Sequence, residues 1–123
     1  MGQARGGQSV VAPTAGAVVL VRFPFSDLSQ VKLRPAVVLA DAGRGDWILC
    51  QVTSKPYGDP RAIQLKDADF TAGSLRVTSY ARPGKLFTAN LDLIVTQVGT
   101  LKSHPFQQIL DDVVDLLRSG PSQ

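Results

Sequence analysis

The sequence predicts a mainly β fold: a small, strongly curved sheet or barrel whose open side is covered by one C-terminal helix. Three observations carry that expectation. Short apolar runs rich in Val, Ile, Leu and Phe recur from Ala17 to Val98, separated by clusters of Gly, Pro, Asp and Ser. Beyond them the apolar period changes, and Phe106, Ile109, Leu110, Val113, Leu116 and Leu117 repeat at helical spacing. A chain of 123 residues with 44% apolar content supports one modest core, so five or more strands and a single helix must share it.

Taken in order, Met1 to Ala15 mixes Gly, Gln, Ser and Pro without periodicity and reads as a flexible arm. Ala17 to Phe25 is the first strand, with Pro24 marking an edge or bulge near its end. Ser26 to Leu33 is a polar loop. Arg34 to Ala40 and Asp46 to Thr53 are apolar runs joined by the five residues Asp41 to Gly45, which suits an antiparallel hairpin at the centre of the sheet. Two prolines and a glycine between Lys55 and Pro60 interrupt the sheet before a short strand at Arg61 to Leu65. A strand at Leu75 to Ala81 follows Ala72-Gly73, Pro83-Gly84 turns the chain into Lys85-Leu86-Phe87, and Leu93 to Val98 is the last strand. Ser103 caps the helix, Pro105 sits in its first turn and Gly120-Pro121 stops it. Residues 16–120 therefore read as a single domain, with residues 121–123 as a tail.

Charge narrows the partners. Thirteen Lys and Arg against ten acids give net +3 and a pI near 9.4, which favours an anionic partner without forming a basic tail. Every acid is Asp, so carboxylate chemistry here uses a short side chain. The single cysteine, Cys50, lies in an expected buried strand, cannot form an intrachain disulfide and fits a reducing compartment. No apolar stretch has the length of a membrane span or of a signal-peptide core, so a soluble cytoplasmic protein is expected.

Two polar residues stand where apolar strands end side by side. Arg34 precedes Pro35, which fixes the next backbone angle and pushes Arg34 towards an extended conformation. Its planar, permanently cationic fork suits phosphate oxygens and the charge that develops in phosphoryl displacement. It equally suits an exposed residue at a strand start. Thr53 closes the run Trp47 to Val52, and Ser54 and Lys55 make that end unusually polar. A threonine hydroxyl can bond a phosphate or a ribose, or serve only the strand.

Other chemistries lack their residues. His104 is the only histidine, which excludes a histidine pair, and one His with one Cys does not make a zinc site. There is no GxxxxGK(S/T) phosphate loop and no GxSxG elbow. Asp111, Asp112 and Asp115 form the wet face of the expected helix, so no metal site is assigned.

With these residues in hand, the chain resembles the MazF/PemK family of toxin endoribonucleases from bacterial toxin–antitoxin systems. The resemblance is carried by Gly16-Ala17-Val18-Val19-Leu20-Val21, Phe23-Pro24-Phe25-Ser26-Asp27-Leu28, Lys32-Leu33-Arg34-Pro35-Ala36-Val37-Val38-Leu39 and Thr53-Ser54. It continues in Gly73-Ser74-Leu75, Ser79-Tyr80-Ala81-Arg82, Lys85-Leu86-Phe87 and Gly99-Thr100-Leu101. It implies an SH3-like β-barrel of the CcdB/MazF/PemK kind, a homodimer, a small acidic antitoxin as partner and no cofactor. It further implies metal-independent cleavage of single-stranded RNA, mRNA in particular, by attack of the ribose 2′-hydroxyl on the adjacent phosphate.

Arg34 matches the family's catalytic arginine, stabilising the phosphorane and assisting proton transfer, and Thr53 matches its catalytic threonine, positioning phosphate or ribose. Arg82 matches a strand-end arginine of the family. Phe25, Lys32, Ser54, Lys55 and Ser79 are further candidate RNA contacts from their expected nearness to the cleft. Phe25 also suits the core, Ser79 the strand, and the lysines plain solvation. Two departures stand out. Gln30, Val31 and Leu33 replace the glycine and basic residues many members carry, and Gly84 stands where some have an acid, so more rests on Arg34 and Thr53. The competing expectation is a non-enzymatic module of the same fold that binds a protein such as DNA gyrase, as CcdB toxins do.

Overall fold

The structure is a computed structural model, and it describes residues 12–24 and 31–119. Among these, seven strands form one antiparallel sheet: β1 (Ala17–Pro24), β2 (Val31–Gly43), β3 (Asp46–Thr53), β4 (Ile63–Leu65), β5 (Phe70–Gly73), β6 (Ser79–Asn90) and β7 (Ile94–Leu101). Their order across the sheet is β4-β6-β3-β2-β1-β7-β5, and helix α1 (Ser103–Ser119) follows. The sheet curls into a half-barrel with the helix against one face, as the sequence predicts.

The central strands are apolar throughout because both of their faces are buried. Period-two alternation sends Val37 and Leu39 of β2 to the helix side, where they meet Cys50, Val52, Leu65, Ile109 and Val113. It sends Ala36 and Val38 to the opposite side, with Val19, Val21, Trp47, Leu49 and Ile94. One run of five apolar residues thus feeds two clusters. Ile109 and Val113 anchor the helix, and Phe106 and Leu110 pack beside them. Leu117, assigned to the same stripe, is exposed instead: Leu116 takes the last place, against Gly84 of β6, and Leu117 lies about 100° further round.

Several boundaries differ from expectation, each for a local reason. The polar loop expected to run to Leu33 gives way to β2 at Val31, because Val31, Lys32 and Leu33 pair with Pro24, Phe23 and Arg22. The five-residue link shrinks to Arg44-Gly45, both at positive φ (61° and 82°), the backbone of a tight primed turn. The strand expected from Leu75 begins at Ser79. Before it, the Ser74 hydroxyl donates to Asp67 (2.6 Å) and accepts from the Arg76 amide (2.8 Å), which draws residues 74–78 out of the ladder. Pro83-Gly84 does not turn the chain: β6 runs through it on a bulge between the pairs Val52↔Ala81 and Cys50↔Leu86, so no ladder bond is asked of the proline. The short strand narrows to β4. A strand absent from the expectation, β5, pairs with β7 and extends β7 to Leu101. Its tight fit depends on two glycines, since a β-carbon at Gly73 would overlap the Val98 carbonyl and one at Gly99 would strike the Phe70 ring at 2.7 Å.

Candidate active site

The β2–β3 ladder runs through Val37↔Cys50 to its last pair, Ala36↔Gln51, and Arg34 and Thr53 each lie two residues beyond that pair on neighbouring strands. The same alternation puts both on the face away from the helix, in line with Ala36 and Leu49. On its other side Arg34 pairs with Val21 of β1, and Thr53 pairs with Tyr80 of β6. Both are half-buried. Arg34, the fourth residue of β2, and Thr53, the last of β3, thus come to one region of the sheet.

Two concavities meet there. One, of about 300 Å³, is lined by Lys32, Leu33, Arg34, Pro35, Val52, Thr53, Ser54, Leu75, Val77 and Ser79. The other, of about 240 Å³, is lined by Phe23, Arg34, Gln51, Val52, Thr53, Tyr57 and Arg82. Arg34, Val52 and Thr53 border both, so the two form one trough with Arg34 and Thr53 at its middle. A larger hollow, of about 560 Å³, lies along Ser103, His104, Gln107, Gln108, Asp111 and Asp112 and shares none of the described residues with either. Size therefore does not mark the site; the convergence of cations and hydroxyls does.

The expected contacts divide. Lys32, Ser54 and Ser79 line the first concavity and Arg82 the second. Ser79 is nearly fully buried, and its hydroxyl donates to the Val77 carbonyl at 3.1 Å, which serves the strand entry. Lys55 is exposed and lines neither concavity, but its backbone fixes Thr53. The Lys55 amide donates to Thr53 Oγ1 at 3.1 Å, and that hydroxyl donates to the Lys55 carbonyl at 3.3 Å. Phe25 lies outside the described residues. In the second concavity the aromatic side chains are Phe23 and Tyr57, and Phe23 stands edge-on to Phe87 at 5.2 Å.

Arg82 does not stand alone. Its Nε donates to Asp59 Oδ2 at 2.8 Å, with little of either side chain exposed, and Asp59 Oδ1 accepts from the Arg61 amide at 2.9 Å. The Arg82 hydrogen bond, then that of Arg61, holds the Asp59 carboxyl below the usual carboxylate range. A carboxylate therefore reaches Arg82 after all, from the β3–β4 loop and not from position 84. Sequence reasoning missed Asp59 and Tyr57. The available signal was the string Pro56-Tyr57-Gly58-Asp59-Pro60, a lone aromatic among turn formers.

Behind the site, burial pushes the Cys50 thiol up to about 12, so it stays protonated and is no nucleophile. Among the described residues no group of three or more His, Cys, Asp or Glu side chains gathers, and no helix is long and apolar enough to cross a membrane. His104 lies at the helix start, outside the trough. Asp111 accepts from Gln107 Nε2 at 3.1 Å, and Asp115 stands 4.0 Å from Arg61, as helix-surface residues do.

Known proteins share this architecture. MazF of Deinococcus radiodurans is 23% identical, with 89% of this chain and 99% of that chain covered and a TM-score of 0.70. A MazE–MazF structure from the same organism is 22% identical, covers 92% of this chain and 100% of that chain, and has a TM-score of 0.70. An endoribonuclease from a mycobacterial species is 17% identical, with 94% and 100% covered and a TM-score of 0.66. At such identities the likeness shows the fold. No curated protein matches the chain in sequence. The family description "PemK-like, MazF-like toxin of type II toxin-antitoxin system" matches residues 14–117, which takes in β1 to β7 and nearly all of α1. The chain belongs to the PemK-like, MazF-like toxins of type II toxin–antitoxin systems.

Proposed function

We propose that this toxin is an endoribonuclease that cuts single-stranded RNA, mRNA in particular, without a metal ion. The observation that carries the reading is that Arg34 and Thr53 both line the two concavities of the trough, with Lys32, Ser54 and Arg82 along it. The basic residues follow the phosphates, and the apolar and aromatic lining of Leu33, Val77, Phe23 and Tyr57 receives unpaired bases.

In the reaction, ribose O2′ forms a bond to phosphorus and the bond from phosphorus to O5′ breaks. The products are a 2′,3′-cyclic phosphate and a 5′-hydroxyl; the 2′ proton leaves and O5′ gains one, with no redox change. Arg34 holds the charge that builds on the phosphorane oxygens and assists proton transfer, which matters most inside a half-buried site. Thr53 keeps accepting from the Lys55 amide while its O–H turns from the Lys55 carbonyl to a phosphate oxygen. That exchange costs one weak bond and leaves the hydroxyl aimed.

Residues 16–120 act as the functional domain, in the cytoplasm and as a homodimer. A small acidic antitoxin covers the basic trough by the same field that attracts RNA. The solved MazE–MazF structure of D. radiodurans supports such a partner. The test is incubation of purified protein with mixed-sequence RNA in EDTA, followed by end mapping. Cyclic-phosphate and 5′-hydroxyl ends are expected. Intact RNA, or cleavage by Arg34→Ala and Thr53→Ala at the wild-type rate, overturns the reading, and gyrase capture with intact RNA favours the binding module.

A further inference from the structure

We propose that Tyr57 is the stacking platform for an unpaired base beside the scissile phosphate, presented by a strained turn that Asp59 and Arg82 hold in place. This rests on the RNA reading above. Pro56 to Asp59 form a tight turn closed by the Asp59 amide on the Pro56 carbonyl at 3.0 Å. Its two central residues, Tyr57 and Gly58, have φ of 55° and 75°. Glycine takes that conformation freely, but a side chain at the first central position costs about 1–2 kcal/mol, and Asn, Asp or Gly is the usual occupant.

Packing does not repay the strain. Tyr57 is 80% exposed, more than any other exposed large hydrophobic side chain among the described residues. What it does have is position, since it lines the same concavity as Arg34, Thr53 and Arg82. An exposed ring on a strained backbone next to candidate catalytic groups is how a binding contact looks when fold stability does not explain it.

The turn is also anchored. Asp59 takes hydrogen bonds from Arg82 Nε at 2.8 Å and from the Arg61 amide at 2.9 Å, while its carbonyl accepts from the Ala62 amide at 3.2 Å. One residue thus ties the loop to β6 and sets Tyr57 over the trough. Phe23, the other aromatic there among the described residues, is engaged edge-on with Phe87. Among the described residues Tyr57 is the ring left with a face for a nucleobase, and stacking tolerates any base.

The test uses the full chain and a labelled mixed-sequence pool of 2′-O-methyl oligonucleotides, which lack the attacking hydroxyl, titrated by fluorescence anisotropy. Tyr57→Ala and Tyr57→Asn are expected to weaken binding about tenfold or more, and Tyr57→Phe to stay within about twofold of wild type. Tyr57→Asn is also expected to raise Tm, because asparagine accepts the turn conformation more readily. Wild-type affinity in the Ala or Asn variant, Phe as weak as Ala, a lowered Tm for Asn, or no binding by wild type overturns the proposal. Unmodified RNA separates it from the enzyme reading. If wild type cleaves and Tyr57→Ala has an unchanged KM, the stacking role fails alone. If the pool binds through Tyr57 while RNA stays whole, the role stands and the nuclease reading fails.

Discussion

The β2–β3 hairpin has two ends built from similar backbone and put to opposite uses. At the closed end Arg44-Gly45 makes a primed turn, and the polar groups answer one another: Gly43 N–H to Asp41 at 2.7 Å, Leu91 N–H to the Gly45 carbonyl at 2.8 Å, Asn90 to Asp46 at 3.1 Å. At the open end a second primed turn, at Tyr57-Gly58, follows β3, and Arg34 and Thr53 border two concavities. The Thr53 hydroxyl bonds to the backbone of Lys55 in the loop that follows β3. One end closes its polar atoms into a turn, and the other arranges them around a space. Local geometry alone does not tell structure from function; what the polar atoms face does.

The sharpest way to break that comparison is to remove the cation at the open end. Arg34→Ala is expected to lower kcat about 10²–10³-fold, measured on a fluorogenic RNA. A smaller loss, about 10²-fold or less, is expected for Thr53→Ala, with much of the rate recovered by Thr53→Ser, because in the proposed reaction the hydroxyl positions and does not carry charge. Recovery by Thr53→Val instead would reassign the residue to the strand.

The latch at Asp59 gives an intermediate effect and a pH signature. Because its carboxyl is held below the usual 3.8, chiefly by Arg82, its contribution to stability is full above that value and lost as pH falls through the lowered one. Asp59→Asn should cost roughly 1 kcal/mol at neutral pH, and in a urea-midpoint series the gap from wild type should begin to narrow as pH falls below the usual 3.8 and close as it passes the lowered value. A constant gap at every pH would mean the carboxylate charge is not what holds the loop. The smallest effect belongs to the closed end. Arg44→Asn should stabilise by roughly 0.5–1 kcal/mol through relief of its positive φ and leave cleavage unchanged. A fall in activity there would erase the distinction between the two ends.

Much of this was legible in the sequence. Val37, Val38, Leu49 and Val52 mark central strands by composition, and Ile109 and Val113 mark the helix by period. Arg34 and Thr53 stand out because a polar residue ends each apolar run. Boundaries were less legible wherever long-range pairing overruled local signals. Gly and Pro near residues 73 and 83 read as breaks, yet Gly73 joins a strand through Gly99, and Pro83 rides a bulge. Asp59 was invisible as a partner of Arg82, twenty-three residues away, because nothing in either neighbourhood announces the other.

By itself the sequence determined the class of fold, the family pattern and the two residues at its centre, since apolar period and turn chemistry are local and act through a residue's near neighbours. Tertiary structure decided which polar groups meet. It brought Arg34 and Thr53 to the same trough on neighbouring strands, brought Asp59 to Arg82, and turned Tyr57 over the trough on a strained turn. Register and loop docking depend on contacts between distant segments, and these are fixed only when both faces of the sheet are packed at once.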